Sequence, residues 1–239
     1  MENYYQKSLV ITPSLSDASG HLSIPSVFSL FMDIASEHAE TLNIGFREMS
    51  ERRLFWLTVK TQICVFHRPR LMDTVSVSTW LDKPGRMRSV RCYEISSGGQ
   101  TLITGKTEWA LINRDTPALT PLSGVYPESL DYSRPSLCPE PFARIPDAFD
   151  GTQPYADYRV RSTDIDIGGH MNNAAYIRAL IGSLKNADLQ SAPIRKMNVI
   201  FRASCYEGDL LSLQKRTSDG ATDFRLAKDD ATILLARMI

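Results

Sequence analysis

The chain has 239 residues, and its 27 Lys and Arg balance its 27 Asp and Glu, so the formal net charge is zero. Nucleic acids and anionic membranes reward a basic surface, so the charge balance argues against either as the main partner. Hydrophobic residues make up 43% and charged residues 23%, which is typical of a soluble globular protein with room for one or two domains.

The cysteines and the N-terminus indicate the compartment. Cys64, Cys92, Cys138 and Cys205 occur singly, so neither a structural zinc site nor a dense disulfide framework is expected. The first residues lack the basic start and apolar run of a signal peptide, and no apolar stretch is long enough to span a bilayer. We therefore expect a cytoplasmic protein.

The first half of the chain reads as a helix followed by strands. Apolar residues recur at helical spacing from Val27 to Leu42, after an opening Gly20-His21. Four segments rich in β-branched and aromatic residues follow, bounded by turn residues. These predicted strands span 54–67, 73–81, 89–96 and 101–113.

The second half repeats this pattern. Gly169-His170 opens a second amphipathic segment over 175–189, 149 positions after the first Gly-His pair. Predicted strands then span 196–204, 209–217, 223–229 and 232–238. Such a repeat predicts two α+β domains, each a curved antiparallel sheet with a helix against its concave face.

The domain boundaries follow from a proline-rich segment of low periodicity between the halves. We predict a first domain over 1–116, a linker over 117–154 and a second domain over 155–239.

The residues best suited to chemistry lie in the sequence DIDIGGHMNN, at positions 164–173. Asp, Gly and Asn favour turns and helix caps, so this segment predicts a loop that enters a helix N-terminus. The unpaired N–H groups near Gly169 and His170 would stabilise an oxyanion. His170 can move a proton near neutral pH, and Asp166 can orient its imidazole or activate water.

The same segment, with the Tyr176 that follows, resembles the active-site loop of the acyl-acyl-carrier-protein thioesterases of bacteria and plant plastids. Their pattern is approximately D-[IL]-D-x-N-x-H-[VM]-N-N-x-x-Y. Two segments of the first half, 49–81 and 105–116, also resemble that family's strands.

The resemblance implies a tandem double hot-dog fold. It implies that the acyl chain binds mainly in the N-terminal half, that the C-terminal half is catalytic, and that no metal or organic cofactor is required. The implied activity is hydrolysis of fatty acyl thioesters of acyl carrier protein to free fatty acid, the chain-terminating step of fatty acid biosynthesis. A tandem chain of this kind would act as a monomer or a homodimer.

Two positions depart from the family pattern. Gly168 stands where the family has Asn, and Ser204 stands where it often has Glu. Cys205 aligns with a cysteine once proposed as the nucleophile in plant members, although a buried strand cysteine is more often inert. Three options follow: Asp166 and His170 act alone with water, or Asn172, Asn173 or Ser204 supplies the missing hydrogen bonds, or the activity is weak.

Further candidates concern substrate binding. Trp56 and Phe31 suit the wall of an acyl tunnel, although aromatic residues are most often core. A basic cluster in the second half suits an acidic carrier protein or is simply solvated surface. Its members are Arg159, Arg161, Arg178, Arg195 and Lys196.

Two alternatives to this function remain open at this point. The carrier of the acyl group could be coenzyme A in place of the carrier protein. The protein could also be a degenerate hot-dog protein that binds acyl groups without hydrolysing them, because Gly168 and Ser204 replace family residues.

Overall fold

A computed structural model describes residues 2–149 and 152–239. The chain forms two compact units, which divide between Glu140 and Pro141.

The first unit is one antiparallel sheet with a long helix. Its sheet order is β1-β3-β4-β5-β2, and the short β6 pairs with the end of β5. In chain order its elements are β1 (Tyr5–Val10), a 3-10 turn (Pro13–Leu15), α1 (Ile24–Thr41), α2 (Phe46–Glu51), β2 (Leu54–Val65), β3 (Thr74–Leu81), β4 (Ser89–Ser97), β5 (Gln100–Asn113) and β6 (Ala118–Thr120).

Helix α1 forms because its sequence is capped and amphipathic. The Ser23 hydroxyl oxygen accepts a bond from the Ser26 N–H at 3.1 Å, and Pro25 occupies the first turn, where it costs no hydrogen bond. The Phe31 ring stacks on Tyr93 of β4 at 4.4 Å. A Cβ on Gly105 of β5 would lie 2.4 Å from that Phe31 ring, so a glycine is required for this close approach of helix and sheet.

The second unit repeats the plan. Its sheet order is β8-β11-β10-β9-β7, and α3 buries an apolar face that runs from Ala174 to Leu180. In chain order its elements are β7 (Ala156–Arg159), a 3-10 turn (Ser162–Asp164), α3 (Asn173–Gly182), α4 (Asn186–Ser191), β8 (Lys196–Phe201), β9 (Leu210–Ser218), β10 (Ala221–Lys228) and β11 (Ala231–Met238).

The helix predicted over 175–189 is broken in two. Helix α3 ends at Gly182, and α4 begins only at Asn186. The Ser183 hydroxyl donates to the Leu180 carbonyl at 2.7 Å. This local bond caps a carbonyl at the end of α3 and favours termination over continuation of the helix.

The segment predicted as a linker, 117–154, is anchored to the two units by a few buried side chains. Leu122, Val125 and Leu130 are buried in an apolar cluster of the first unit, whereas Ile145 and Phe149 pack in the second. The division of the chain therefore falls within this segment, and its residues 150 and 151 lie outside the described residues.

Among residues 2–149 and 152–239, no helix is long and apolar enough to cross a membrane. The same described residues hold no group of three or more His, Cys, Asp or Glu placed to bind a metal ion. All four cysteines are free thiols.

Candidate active site

The loop from Asp166 to His170 is a tight turn between the second 3-10 turn and α3. The Asp166 N–H donates to the His170 carbonyl at 3.0 Å, and the Gly169 N–H donates to the Asp166 carbonyl at 2.9 Å. Gly169 has a φ of +78°, a conformation that glycine adopts without steric cost. The turn therefore brings the side chains of Asp166 and His170 to the same side of the loop.

The two side chains form a dyad. Asp166 Oδ1 lies 3.6 Å from His170 Nδ1, and about 27% and 29% of the respective side chains are exposed. Asp166 Oδ1 also accepts the Gly168 N–H at 2.7 Å. A Cβ on Gly168 would lie 2.9 Å from His170 Nε2, so the imidazole occupies the space that any side chain at 168 would need.

A buried carboxylate braces the base of this loop. Asp164 Oδ2 accepts the Tyr158 hydroxyl at 2.7 Å and the Arg161 N–H at 2.9 Å. The Asp164 carbonyl accepts the Asn172 N–H at 2.8 Å. Both ends of the loop are thereby fixed. Sequence reasoning assigned no role to Asp164 or Tyr158, although Asp164 is the first acid of the motif.

Helix α3 begins four residues after Gly169. The Asn172 side chain accepts the Ala174 N–H at 2.8 Å as the cap, and the Gly169 N–H is already used within the turn. The His170 N–H finds no hydrogen-bond acceptor among the residues that the structure describes. The donor available for an oxyanion is thus the amide of His170 and not that of Gly169.

The segment 203–205 lies beside the loop. The Met171 N–H donates to the Cys205 carbonyl at 2.8 Å, and the Cys205 N–H donates to the Tyr176 hydroxyl at 2.9 Å. The Cys205 side chain is fully buried, and burial raises the pKa of its thiol. A buried thiol with a raised pKa is a poor nucleophile. Ser204, in contrast, is exposed.

The first unit contains an equivalent loop, from Asp17 to His21. The Asp17 N–H donates to the His21 carbonyl at 2.8 Å, and the Gly20 N–H donates to the Asp17 carbonyl at 2.9 Å. There the Asp17 carboxylate forms an ion pair with Arg68 and accepts the Ser19 hydroxyl at 2.6 Å. Burial alone would raise the pKa of Asp17, but the bonds from Ser19 and Arg68 outweigh it and lower that pKa.

Sequence comparison places both halves of the chain in one family. Residues 2–126 match the acyl-ACP thioesterase N-terminal domain, and residues 150–237 match the acyl-ACP thioesterase C-terminal domain. The chain belongs to the acyl-ACP thioesterase family.

Curated relatives within this acyl-ACP thioesterase family come from plants. A chloroplastic acyl-[acyl-carrier-protein] hydrolase of Cuphea viscosissima is 27% identical over 201 residues, which cover 79% of this chain and 49% of the relative. The chloroplastic oleoyl-acyl carrier protein thioesterase 1 of Arabidopsis thaliana is 24% identical over 233 residues, 90% of this chain and 64% of the relative. The chain therefore spans about half to two thirds of these relatives.

Solved acyl-ACP thioesterase structures share the fold. An acyl-ACP thioesterase from Bacteroides thetaiotaomicron superposes with a TM-score of 0.87 at 22% identity, over 99% of this chain and 97% of that one. The 12:0-ACP thioesterase from Umbellularia californica gives 0.82 at 19% identity, over 98% and 96%. The predicted α+β double hot-dog fold is confirmed.

The remaining residues predicted from the sequence fall into two groups. In the first unit, Phe31 is buried against the sheet, and half-buried Trp56 donates its indole N–H to the Ile44 carbonyl at 2.8 Å. In the second unit, Arg178 is exposed on α3, and Arg195 is exposed just before β8. Asn173 is the first residue of α3.

Proposed function

We propose that this chain hydrolyses fatty acyl thioesters of acyl carrier protein to free fatty acid and carrier. The observation that carries the proposal is the partly exposed Asp166–His170 dyad. Its loop lies within the segment that matches the acyl-ACP thioesterase C-terminal domain. The plant relatives, named as a hydrolase and a thioesterase of acyl carrier protein, support the same reaction.

The geometry suits water as the nucleophile. Because His170 Nδ1 faces Asp166, Nε2 is the nitrogen left to take a proton from water. The hydroxide attacks the thioester carbonyl, and the resulting oxyanion accepts the free N–H of His170. Collapse breaks the C–S bond, and the imidazolium returns its proton to the departing thiolate. Asp166 stabilises the imidazolium while it exists.

This route needs no covalent intermediate on the protein. Cys205 is buried and its thiol pKa is raised, so it takes no part in the proposed reaction. The side chain of Asn172 is used as a helix cap. Because Gly168 has no side chain to donate a hydrogen bond, the backbone N–H of His170 is the donor to the oxyanion in this proposal.

The exposed arginines support a carrier protein as the other part of the substrate. Arg178 and Arg161 lie near Tyr158 at one edge of the catalytic loop, and both are exposed. An acidic carrier would be attracted to such a surface, chiefly through its rate of association.

The test is a hydrolysis panel of C8 to C18 acyl carrier protein substrates with three proteins: wild type, His170→Ala and His21→Ala. His21 is the matched control, because it occupies the equivalent position in the loop of the first unit. We expect His170→Ala to lower kcat/KM by about 10³-fold or more and His21→Ala to stay within twofold of wild type.

Two results would overturn the proposal. If wild type hydrolyses no chain length but binds acyl carrier protein, the chain is an acyl-binding protein. If the same acyl groups on coenzyme A are hydrolysed faster than those on the carrier protein, the substrate class is wrong.

A further inference from the structure

Beneath α1 of the first unit, the guanidinium of Arg91 is buried without a counter-charge. Arg91 lies on β4 and is 4% exposed. Its Nη1 donates to His38 Nδ1 at 2.8 Å and to Thr79 Oγ1 at 3.3 Å. In the described part of the chain, its Nε and Nη2 have no acceptor, and no carboxylate lies against it.

His38 does not supply the missing charge. Its Nε2 donates to the Glu2 carbonyl at 3.2 Å, so Nδ1 is the acceptor that faces Arg91. Burial, with the charge of Arg91, lowers the pKa of His38 to about 4. His38 is therefore neutral at physiological pH, and the buried guanidinium is solvated only by neutral acceptors.

Other donors lie on the same face of the sheet. Tyr93 follows Arg91 by two residues on β4, and the β4–β5 register pairs Arg91 with Thr107 and Ser89 with Trp109. Because side chains alternate along a strand, Arg91, Tyr93, Thr107 and Trp109 all face α1. We call these four residues the donor face.

Two members of the donor face lack a well-formed hydrogen bond. Within residues 2–149 and 152–239, the buried Tyr93 hydroxyl and Trp109 indole N–H form no hydrogen bond of normal geometry, and the Tyr93 hydroxyl interacts with the side chains of Thr107 and Trp109 on the same face. The Thr107 hydroxyl lies 3.2 Å from that of Thr61. Buried polar groups are normally paired, and a buried charge is normally compensated. An excess of donors on one buried face therefore indicates that a ligand supplies an acceptor.

We propose that the donor face binds an acyl chain that carries an oxygen function, namely a hydroxyl, keto or carboxyl group. This inference rests on the proposed function, since the acyl group of the thioester is the ligand. Arg91, Tyr93 and Trp109 would donate to the oxygen, while Phe28, Phe31 and Ile34 of α1 contact methylenes. A plain hydrocarbon chain would leave the donors unpaired, which is how polar sites reject ligands that lack the polar group.

The first experiment measures binding of free acids by calorimetry and tryptophan fluorescence. The probes are decanoic, 3-hydroxydecanoic, 10-hydroxydecanoic and decanedioic acid, so that the position and charge of the oxygen are separated. We expect at least one oxygenated acid to bind wild type tenfold or more tightly than decanoic acid. Equal affinity for all four would overturn the inference and leave water as the occupant of the donor face.

Variants test whether the preference for an oxygenated acid over decanoic acid comes from the donor face. Tyr93→Phe and Trp109→Phe should each weaken the favoured oxygenated acid about fivefold, the equivalent of one hydrogen bond, and leave decanoic acid unchanged. Because the Tyr93 hydroxyl forms no hydrogen bond of normal geometry without ligand, Tyr93→Phe should leave the melting temperature nearly unchanged. A fall in melting temperature with no change in preference would contradict the inference.

Thr104→Val is the matched control. Thr104 is a buried threonine of β5 on the opposite face, where its hydroxyl oxygen accepts the Cys138 thiol at 3.1 Å. It should leave the ratio of the two affinities unchanged, whereas Thr107→Val should lower that ratio. An equal effect of the two variants would overturn the assignment to the donor face.

The second experiment compares hydrolysis of decanoyl and hydroxydecanoyl thioesters of acyl carrier protein. If both are hydrolysed with equal kcat/KM, the donor face does not select substrates, although the proposed function stands. If neither is hydrolysed while an oxygenated acid still binds, the proposed function fails and the donor face remains a ligand site.

Discussion

The two units contain a loop with the same backbone hydrogen bonds but with different side-chain contacts. In each, an Asp N–H donates to a His carbonyl four residues later, and a glycine at positive φ closes the turn. Asp17 is held by Arg68, whereas Asp166 faces His170. The backbone geometry therefore does not by itself make a catalytic loop.

The residue that separates the two loops lies outside them. The Leu22 N–H donates to the Pro69 carbonyl, and the Met171 N–H donates to the Cys205 carbonyl. These equivalent bonds place Arg68 of the first unit at the position of Ser204 in the second. The exposed hydroxyl of Ser204 carries no charge, so Asp166 remains available to the imidazole.

Among changes that transfer a feature from one loop to the other, we expect the largest effect from an arginine at position 204. In Ser204→Arg, the new guanidinium should bind Asp166 as Arg68 binds Asp17, and draw the carboxylate from His170. We expect kcat/KM for acyl carrier protein substrates to fall about 100-fold. Ser204→Ala, which adds no charge, should stay within about threefold. Full activity in Ser204→Arg would show that Asp166 need not face His170.

The brace of the second loop is the next target. The first unit has Leu15 where the second has Asp164, so the brace is specific to the second loop. Asp164→Ala leaves the Tyr158 hydroxyl and the Arg161 N–H unpaired and should lower the free energy of unfolding by about 2 kcal/mol. Denaturant titration measures this change. Tyr158→Phe removes a single bond and should cost about half as much; an equal cost for both variants would argue against the brace.

A smaller effect is expected at Gly168, where the first loop has Ser19. In Gly168→Ser, the Cβ displaces the imidazole, and the hydroxyl competes for Asp166 as Ser19 does for Asp17. We expect kcat/KM to fall about tenfold. Gly182→Ser is the control, since a Cβ there meets nothing within 4 Å. A rise in rate would instead mean that the glycine is a loss from the family pattern.

The smallest effect concerns the one buried histidine of α1. His38 is neutral when folded, with a pKa lowered by burial to about 4, but takes up a proton below about pH 6.5 when unfolded. Its contribution to stability is therefore complete above pH 6.5 and is lost as the pH falls toward 4. His38→Gln, which keeps an acceptor for Arg91, should reduce the loss between pH 7 and about pH 5.5 by about 1 kcal/mol. Parallel pH profiles of the two proteins would contradict this.

The sequence predicted the main elements because periodicity reports burial. Strands β2 to β5 and β8 to β11 lie within a few residues of their predicted spans, as does α1. The break after Gly182 was missed because apolar residues continue beyond it, although the helix ends there and the Ser183 hydroxyl bonds back to its last turn. The segment 117–154 looked irregular because its buried residues follow no period.

The dyad could be predicted from spacing, but its surroundings could not. A turn of five residues brings the backbones of Asp166 and His170 together, as it does for Asp17 and His21. The equivalence of Arg68 and Ser204 rests on backbone bonds that the folded chain forms, and the ion pair of Arg68 with Asp17 depends on side-chain direction. The same holds for the donor face, where the sequence shows a polar strand but not that its donors lack acceptors.

Gly105 sets a spacing that engineering could exploit. The Phe31 ring packs on β5 because residue 105 has no side chain. Each carbon added at position 105 would therefore push α1 away from the sheet. Because Phe31 stacks on Tyr93 and His38 of α1 binds Arg91, moving the helix would also change the contacts of Tyr93 and Arg91. The separation between α1 and the donor face is thus set from one position of the sheet.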